Sequence, residues 1–126
     1  MFVCVENSSR SQIAEAFFNK LSKTAEASSA GTRPALSVNP LAIYVMKEIG
    51  IDIGNNQPKM MTLEMLDATD KVITMGCMVG DVFPAPIVEI EDWGIEDPAG
   101  KGIEKFREIR DKIKRKGELL VKDLDR

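Results

Sequence analysis

The stretch that decides the fold is Met1-Phe2-Val3-Cys4-Val5-Glu6-Asn7-Ser8-Ser9-Arg10-Ser11, at the start of a chain of 126 residues. Phe2 to Val5 is a short apolar run that reads as a buried strand. Directly after the polar turn, Ile13, Ala14, Phe17, Phe18 and Leu21 recur at helical spacing, with Asn19 and Lys20 on the other side. A strand that runs through a turn straight into a helix lets the backbone N–H groups of the turn point at one spot, where the helix dipole adds to them. Arg10 stands where its fork can grip an oxyanion through two hydrogen bonds. A thiol in that field ionises more readily than a free one, so Cys4 is a candidate nucleophile. Ser11 can donate to the thiolate, and Asn7 can hold the loop through its amide. The candidate oxyanion-binding residues are thus Val5, Glu6, Asn7, Ser8, Ser9, Arg10 and Ser11.

A cysteine at a strand end is usually a small buried hydrophobe, so the loop does not decide the function by itself. The absence of histidine removes Ser/His and Cys/His pairings, and a nucleophile must be activated another way. Two cysteines, Cys4 and Cys77, are too few for a disulfide scaffold or a cysteine-built zinc site, and no metal is expected. A net charge of −3 argues against a general nucleic-acid binder but leaves room for a local anion site. No apolar run approaches the roughly 18 residues of a membrane span, and the start does not read as a signal peptide. A cytoplasmic, single-domain monomer spanning residues 1–126 is the expectation.

Outward from the loop, strands and helices alternate. Ala25 to Ala30 is a weak strand candidate closed by Gly31. A helix is marked by Asn39 as N-cap, Pro40 at its first position and Gly50 after its last apolar residue. A short helix begins at Thr62 and carries Leu63 and Leu66. Lys71 to Met75 and Ile87 to Ile90 read as strands. The last 25 residues read as a helix with Ile103, Phe106, Ile113 and Leu120 on its apolar side and a Glu108–Lys112 pair on its surface. This order predicts an α/β sandwich on a parallel sheet. Two more features bear on chemistry. Asp97, in Glu96-Asp97-Pro98-Ala99-Gly100, is a loop carboxylate of the kind that protonates a leaving oxygen, although Asp-Pro is also an ordinary turn pair. Cys77 follows a strand, and ligands of parallel sheets gather at strand carboxyl ends, where Cys4 also falls.

Together these segments resemble the arsenate reductases built on the low-molecular-weight tyrosine phosphatase fold. The anchors are Cys4 to Gln12 running into Ala14-Glu15, then Ser29-Ala30-Gly31-Thr32, Val38-Asn39-Pro40, Gly50-Ile51-Asp52-Ile53, Val72-Ile73-Thr74-Met75, and Glu91-Asp92-Trp93 leading to Asp97-Pro98. The resemblance implies a three-layer sandwich with a four-stranded parallel sheet flanked by helices. It implies Cys4 as nucleophile, Arg10 as oxyanion clamp, Asn7 and Ser11 as loop support, Asp97 as general acid and Cys77 as resolving cysteine. The implied reaction reduces arsenate to arsenite and leaves a Cys4–Cys77 disulfide, which an external thiol such as thioredoxin reduces. No resident cofactor is implied.

Three departures from the family pattern follow. Thioredoxin-coupled members usually carry a third cysteine just before a proline, and Phe83-Pro84 stands there instead. Either the reductant attacks Cys4–Cys77 directly, or reduction takes another route. Some members hold a monovalent cation beside the loop. Asn7, Glu15 and Ser29 match its ligands, but Lys59 replaces an acidic one, and its ammonium is expected to fill the cation's place. Related sequences also begin two or three residues earlier relative to Cys4, so the first strand should be short or the true start should lie upstream.

Two rival functions remain. A tyrosine phosphatase of the same fold would share the loop, nucleophile and acid, but it tends to follow Asp-Pro with aromatic residues, where this chain has Ala99-Gly100. A non-catalytic anion-binding module would need neither Cys77 nor Asp97.

Overall fold

The computed structural model describes residues 1–76 and 89–125. Phe2–Cys4 forms β1, and it is paired in parallel with Ser29–Gly31 (β2) on one side and with Lys71–Thr74 (β3) on the other. Glu89–Asp92 (β4) adds to β3, also in parallel, giving the order β2-β1-β3-β4. The α1 helix spans Arg10–Leu21, α2 Pro40–Lys47, α3 Leu63–Asp67 and α4 Ile103–Leu124.

Strand side chains alternate between the two faces of a sheet. Phe2, Cys4 and Ile73 join Ile13, Phe17, Val45, Met46, Phe106, Ile109 and Ile113 in the larger core, which α1, α2 and α4 supply. Val3, Ala30 and Val72 pack with Leu66 of α3 on the opposite face. The result is the three-layer sandwich expected, with helices on both faces of a parallel sheet. That arrangement collects the four strand ends, and the turns that follow them, along one edge.

Local signals set the starts of α2 and α3. The Asn39 side chain accepts from the Leu41 N–H at 2.9 Å and Pro40 occupies the first turn, while Thr62 caps α3 through the Met65 N–H. The α2 helix stops at Lys47, ahead of the expected limit. Gly50, at φ +83°, then lets the Ile51 N–H reach back to the Met46 carbonyl. Other expectations need correction. Of the proposed Ala25–Ala30 strand only Ser29 and Ala30 pair, and the strand runs on through Gly31, which was expected to close it. The Ala25 and Ala27 N–H groups are bonded instead to the side chains of Ser22 and Asn19. On α4, Glu108 pairs with Lys105, one turn N-terminal, rather than with Lys112. The fourth strand starts at Glu89 within the described residues. Ile87, Phe83-Pro84 and Cys77 lie outside them.

Trp93 is packing. It is buried against Phe2, with ring centroids 5.4 Å apart, and its indole N–H donates to Glu91 at 2.8 Å. Among the described residues no helix is long and apolar enough to cross a membrane.

Candidate active site

The turn between β1 and α1 is shaped by where its carbonyls go. The carbonyls of Cys4, Val5, Glu6 and Ser8 accept from the N–H groups of Thr32, Arg33, Ala35 and Asn39, and that of Asn7 accepts from the Gln12 amide. With its carbonyls spent on the outer segment, the turn keeps its N–H side for the cleft. The packing is tight. A Cβ on Gly31 would lie 2.6 Å from the Val5 carbonyl and 3.0 Å from the Asn7 nitrogen, so only glycine fits there.

Asn7 is the keystone of the turn. It adopts φ +52°, a left-handed conformation that asparagine tolerates better than most residues. Its side chain is fully buried and fully used. Nδ2 donates to Ser11 Oγ at 2.7 Å, and Oδ1 accepts from the Lys59 N–H at 2.9 Å and from Gln12 Nε2 at 3.2 Å. Cys4, a free and buried thiol, lies within this network. Its Sγ is 2.9 Å from Ser11 Oγ and 3.2 Å from the Asn7 N–H. Each of these groups can donate a hydrogen to sulfur.

Arg10 is buried and clamped. Nη1 donates to the carbonyls of Met75 at 2.7 Å and Ile95 at 2.9 Å, so the end of β3 and the segment after β4 fix the guanidinium plane. A two-point grip on an anion therefore falls to the Nε–Nη2 edge. Nη2 also lies 3.8 Å from the Asp97 carboxylate. Asp97 is half-exposed, and its Oδ1 accepts from the Ala99 N–H at 3.0 Å, which closes a local turn. One narrow cleft is lined by Cys4, Glu6, Ser8, Ser9, Arg10, Asn39, Asp97 and Ala99. Among the described residues, no aromatic side chain lines it.

Of the expected site residues, Cys4, Arg10 and Asp97 meet in this cleft, and Asn7 and Ser11 stand behind Cys4. Glu15 and Lys59 form a neighbouring pair, and the Ser29 side chain makes no hydrogen bond to either. Lys59 Nζ is 3.9 Å from Glu15 Oε1, its carbonyl accepts from the Gly31 N–H, and the Ser29 hydroxyl is buried without a partner. Cys77 falls outside the described residues.

Two supporting residues were not anticipated. Gln12, buried in the first turn of α1, donates to Asn7 and receives from Asn56, tying the loop to residues 56–59. Asp92, at the end of β4, accepts from the Thr74 hydroxyl at 2.7 Å and from the Gly76 N–H at 2.6 Å. Those bonds join the ends of β3 and β4, which carry the two carbonyls that orient Arg10. The Thr74 hydroxyl, with the Gly76 and Gly94 N–H groups and the Arg10 charge, holds the Asp92 carboxyl below its ordinary pKa. An acid at the end of a predicted strand was the only signal in the sequence, and its partners are set by the pairing of β3 and β4.

Known proteins share this build. Arsenate reductase 2 of Staphylococcus haemolyticus is 40% identical over 117 residues, covering 90% of this chain and 88% of that protein. Arsenate reductase from Archaeoglobus fulgidus superposes with a TM-score of 0.82 at 31% identity, covering 95% of this chain and 96% of that one. The YwlE arginine phosphatase of Geobacillus stearothermophilus superposes with a TM-score of 0.87 at 29% identity, covering 98% and 90%. The family model described as low molecular weight phosphotyrosine protein phosphatase matches residues 1–126 in full. With that model matched over residues 1–126 and relatives about 40% identical over nine-tenths of its length, the chain belongs to the low molecular weight phosphotyrosine protein phosphatase family.

Proposed function

We propose that this chain is an arsenate reductase, a single catalytic domain that works in the cytoplasm. The observation that carries the chemistry is the setting of Cys4 Sγ, 2.9 Å from Ser11 Oγ and 3.2 Å from the Asn7 N–H in the cleft that Arg10 and Asp97 share. The choice of arsenate rests on the arsenate reductases that match across the chain.

In this reading the turn's N–H groups and the Nε–Nη2 edge of Arg10 hold arsenate with one As–O bond in line with Cys4. The Cys4 thiolate attacks arsenic, and one oxygen departs as water with a proton from Asp97. Cys77, as thiolate, then attacks Cys4 sulfur. The As–S bond breaks, its electron pair stays on arsenic, and arsenic falls from the +5 to the +3 state as arsenite leaves. The two thiols have supplied two electrons and become the Cys4–Cys77 disulfide. An external dithiol of the thioredoxin type restores both. With two cysteines in the chain, that reductant attacks Cys4–Cys77 directly. The role of Cys77 rests on its place in the sequence after β3. The enzyme works as a monomer on a small free oxyanion, without nucleic acid, membrane or resident cofactor.

Lys59 takes the part of a monovalent cation in this scheme, its ammonium beside Glu15 and its own N–H on Asn7. A potassium-dependent rise in rate would count against that role.

Phosphatase chemistry is the second reading, since the same family supplies it and the first attack on phosphorus is identical. Among the described residues the cleft behind Asp97 is lined by Ala99 and no ring, which favours a small inorganic anion over an aryl ester. Residual phosphatase activity is therefore expected. Arsenite release and para-nitrophenyl phosphate hydrolysis, measured side by side with a thioredoxin system present, separate the two readings. Rapid arsenite formation with slow hydrolysis is the expected result, and hydrolysis without arsenite would make the chain a phosphatase.

A further inference from the structure

Ser9 breaks a rule that its position sets. It is the N-cap residue of α1, where a serine hydroxyl normally accepts from an N–H group of the first helical turn. Its side chain makes no capping bond, and its φ of −139° and ψ of −81° are not the usual extended cap geometry. The residue is about nine-tenths or more buried, at 5% exposure, and its Oγ is buried without any hydrogen-bond partner. Ser9 also lines the cleft that Cys4, Arg10 and Asp97 share.

A buried hydroxyl left unbonded costs about 1–3 kcal/mol. Protein interiors satisfy nearly all such groups, so an unsatisfied one calls for a reason. Here the neighbours account for the rest of the loop. Cys4 sulfur has its donors in Ser11 and the Asn7 N–H, and Asn7 is consumed by Ser11, Gln12 and Lys59. The Ser9 carbonyl starts the helix by accepting from the Ile13 N–H. The Ser9 hydroxyl, which lines the cleft, has no hydrogen-bond partner in the protein as it stands. By withholding a cap it also leaves first-turn N–H groups to a ligand.

We propose that the Ser9 hydroxyl is a direct ligand of the bound oxyanion, donating its hydrogen to one oxygen of the tetrahedral anion and acting with the turn's N–H groups and Arg10. The inference rests on the anion site proposed above. It adds a side-chain donor to a loop that otherwise binds through its backbone and one guanidinium. A hydroxyl rotates freely, so the same donor follows an anion oxygen as its position shifts during attack by Cys4.

Inorganic phosphate is the probe, because it has the shape of arsenate and leaves both thiols reduced. Its affinity for wild type, Ser9→Ala and Ser9→Thr is measured by titration calorimetry, with the melting temperature of each protein taken without phosphate. Removing a hydrogen bond to a charged ligand predicts roughly 10- to 100-fold weaker binding by Ser9→Ala. The phosphate-free melting temperature should stay level or rise, since a buried orphan is deleted. Ser9→Thr, which keeps the hydroxyl, should restore most of the affinity. Equal phosphate affinity in wild type and Ser9→Ala would overturn the inference, as would a marked loss of phosphate-free stability in Ser9→Ala. Failure of the wild type to bind phosphate at all would instead overturn the anion site itself.

Discussion

The two loops that meet at the cleft are built in opposite ways. The Cys4–Ser11 turn is locked. Its carbonyls are bonded outward, Asn7 is buried with every polar atom used, and Gly31 presses against it too closely for any side chain. The loop carrying Asp97 is loosely held. Its carboxylate is half-exposed, it meets the other loop through the Ile95 carbonyl on Arg10 and a 3.8 Å Arg10–Asp97 ion pair, and Gly94, Gly100 and Gly102 all have positive φ. The contrast fits the division of labour proposed here. An anion site gains by having its donors fixed before the ligand arrives, because no reorganisation is then needed during reaction. An acid that must follow a departing oxygen gains from a tether that can yield.

Asp97→Asn puts the largest expected effect on the yielding side. It should lower the rate of arsenite formation by roughly 10²- to 10⁴-fold, the usual worth of a general acid, while phosphate affinity and melting temperature stay near wild type. Steady-state arsenite assays with calorimetry check this, and a marked loss of stability would mean that Asp97 also holds the fold. Asn7→Ala attacks the locked side. It strands the Lys59 N–H and removes the donor to Ser11, for an expected loss of about 1–3 kcal/mol in chemical denaturation together with weaker phosphate binding. If denaturation is unchanged, the turn does not depend on Asn7 for its shape.

The smallest effect is expected at the joint between the two loops. Asp92 has its carboxyl pKa lowered in the folded protein, chiefly by the Thr74 hydroxyl. Its stabilisation is therefore fully present above the ordinary aspartate value of about 3.9 and is lost as pH falls through the folded value. Asp92→Asn should be modestly less stable than wild type at neutral pH, and the two should converge in acid. A gap between their melting temperatures that persists unchanged in acid would remove the carboxylate from the account.

What the sequence made legible was local. Asn39-Pro40 and Thr62 announce helix starts because a cap and its N–H lie within a few residues of each other. The Cys4–Arg10 turn is read the same way, from a strand, polar turn residues and a helix in succession. The β2 strand was overextended because Ala25 and Ala27 look apolar, while the side chains that claim their N–H groups are Ser22 and Asn19. Asp92 and the outer contact of Gln12 could not be assigned because their partners stand far along the chain, at Thr74 and Gly76 and at Asn56, and only the fold brings them near. Ser9 is the subtler case. The sequence places it in the loop, but only the structure reveals a hydroxyl with nothing to bond.

The central claim is that Cys4 attacks arsenate and Cys77 resolves the adduct. The most direct test is a thiol count and disulfide map of the reduced protein after a single turnover with arsenate in the absence of external reductant. The account predicts that one arsenite is released per chain, both thiols disappear and one intramolecular Cys4–Cys77 disulfide forms, with none in Cys4→Ser. Arsenite release that leaves Cys77 free, or proceeds unchanged in Cys77→Ser without added thiol, would contradict it.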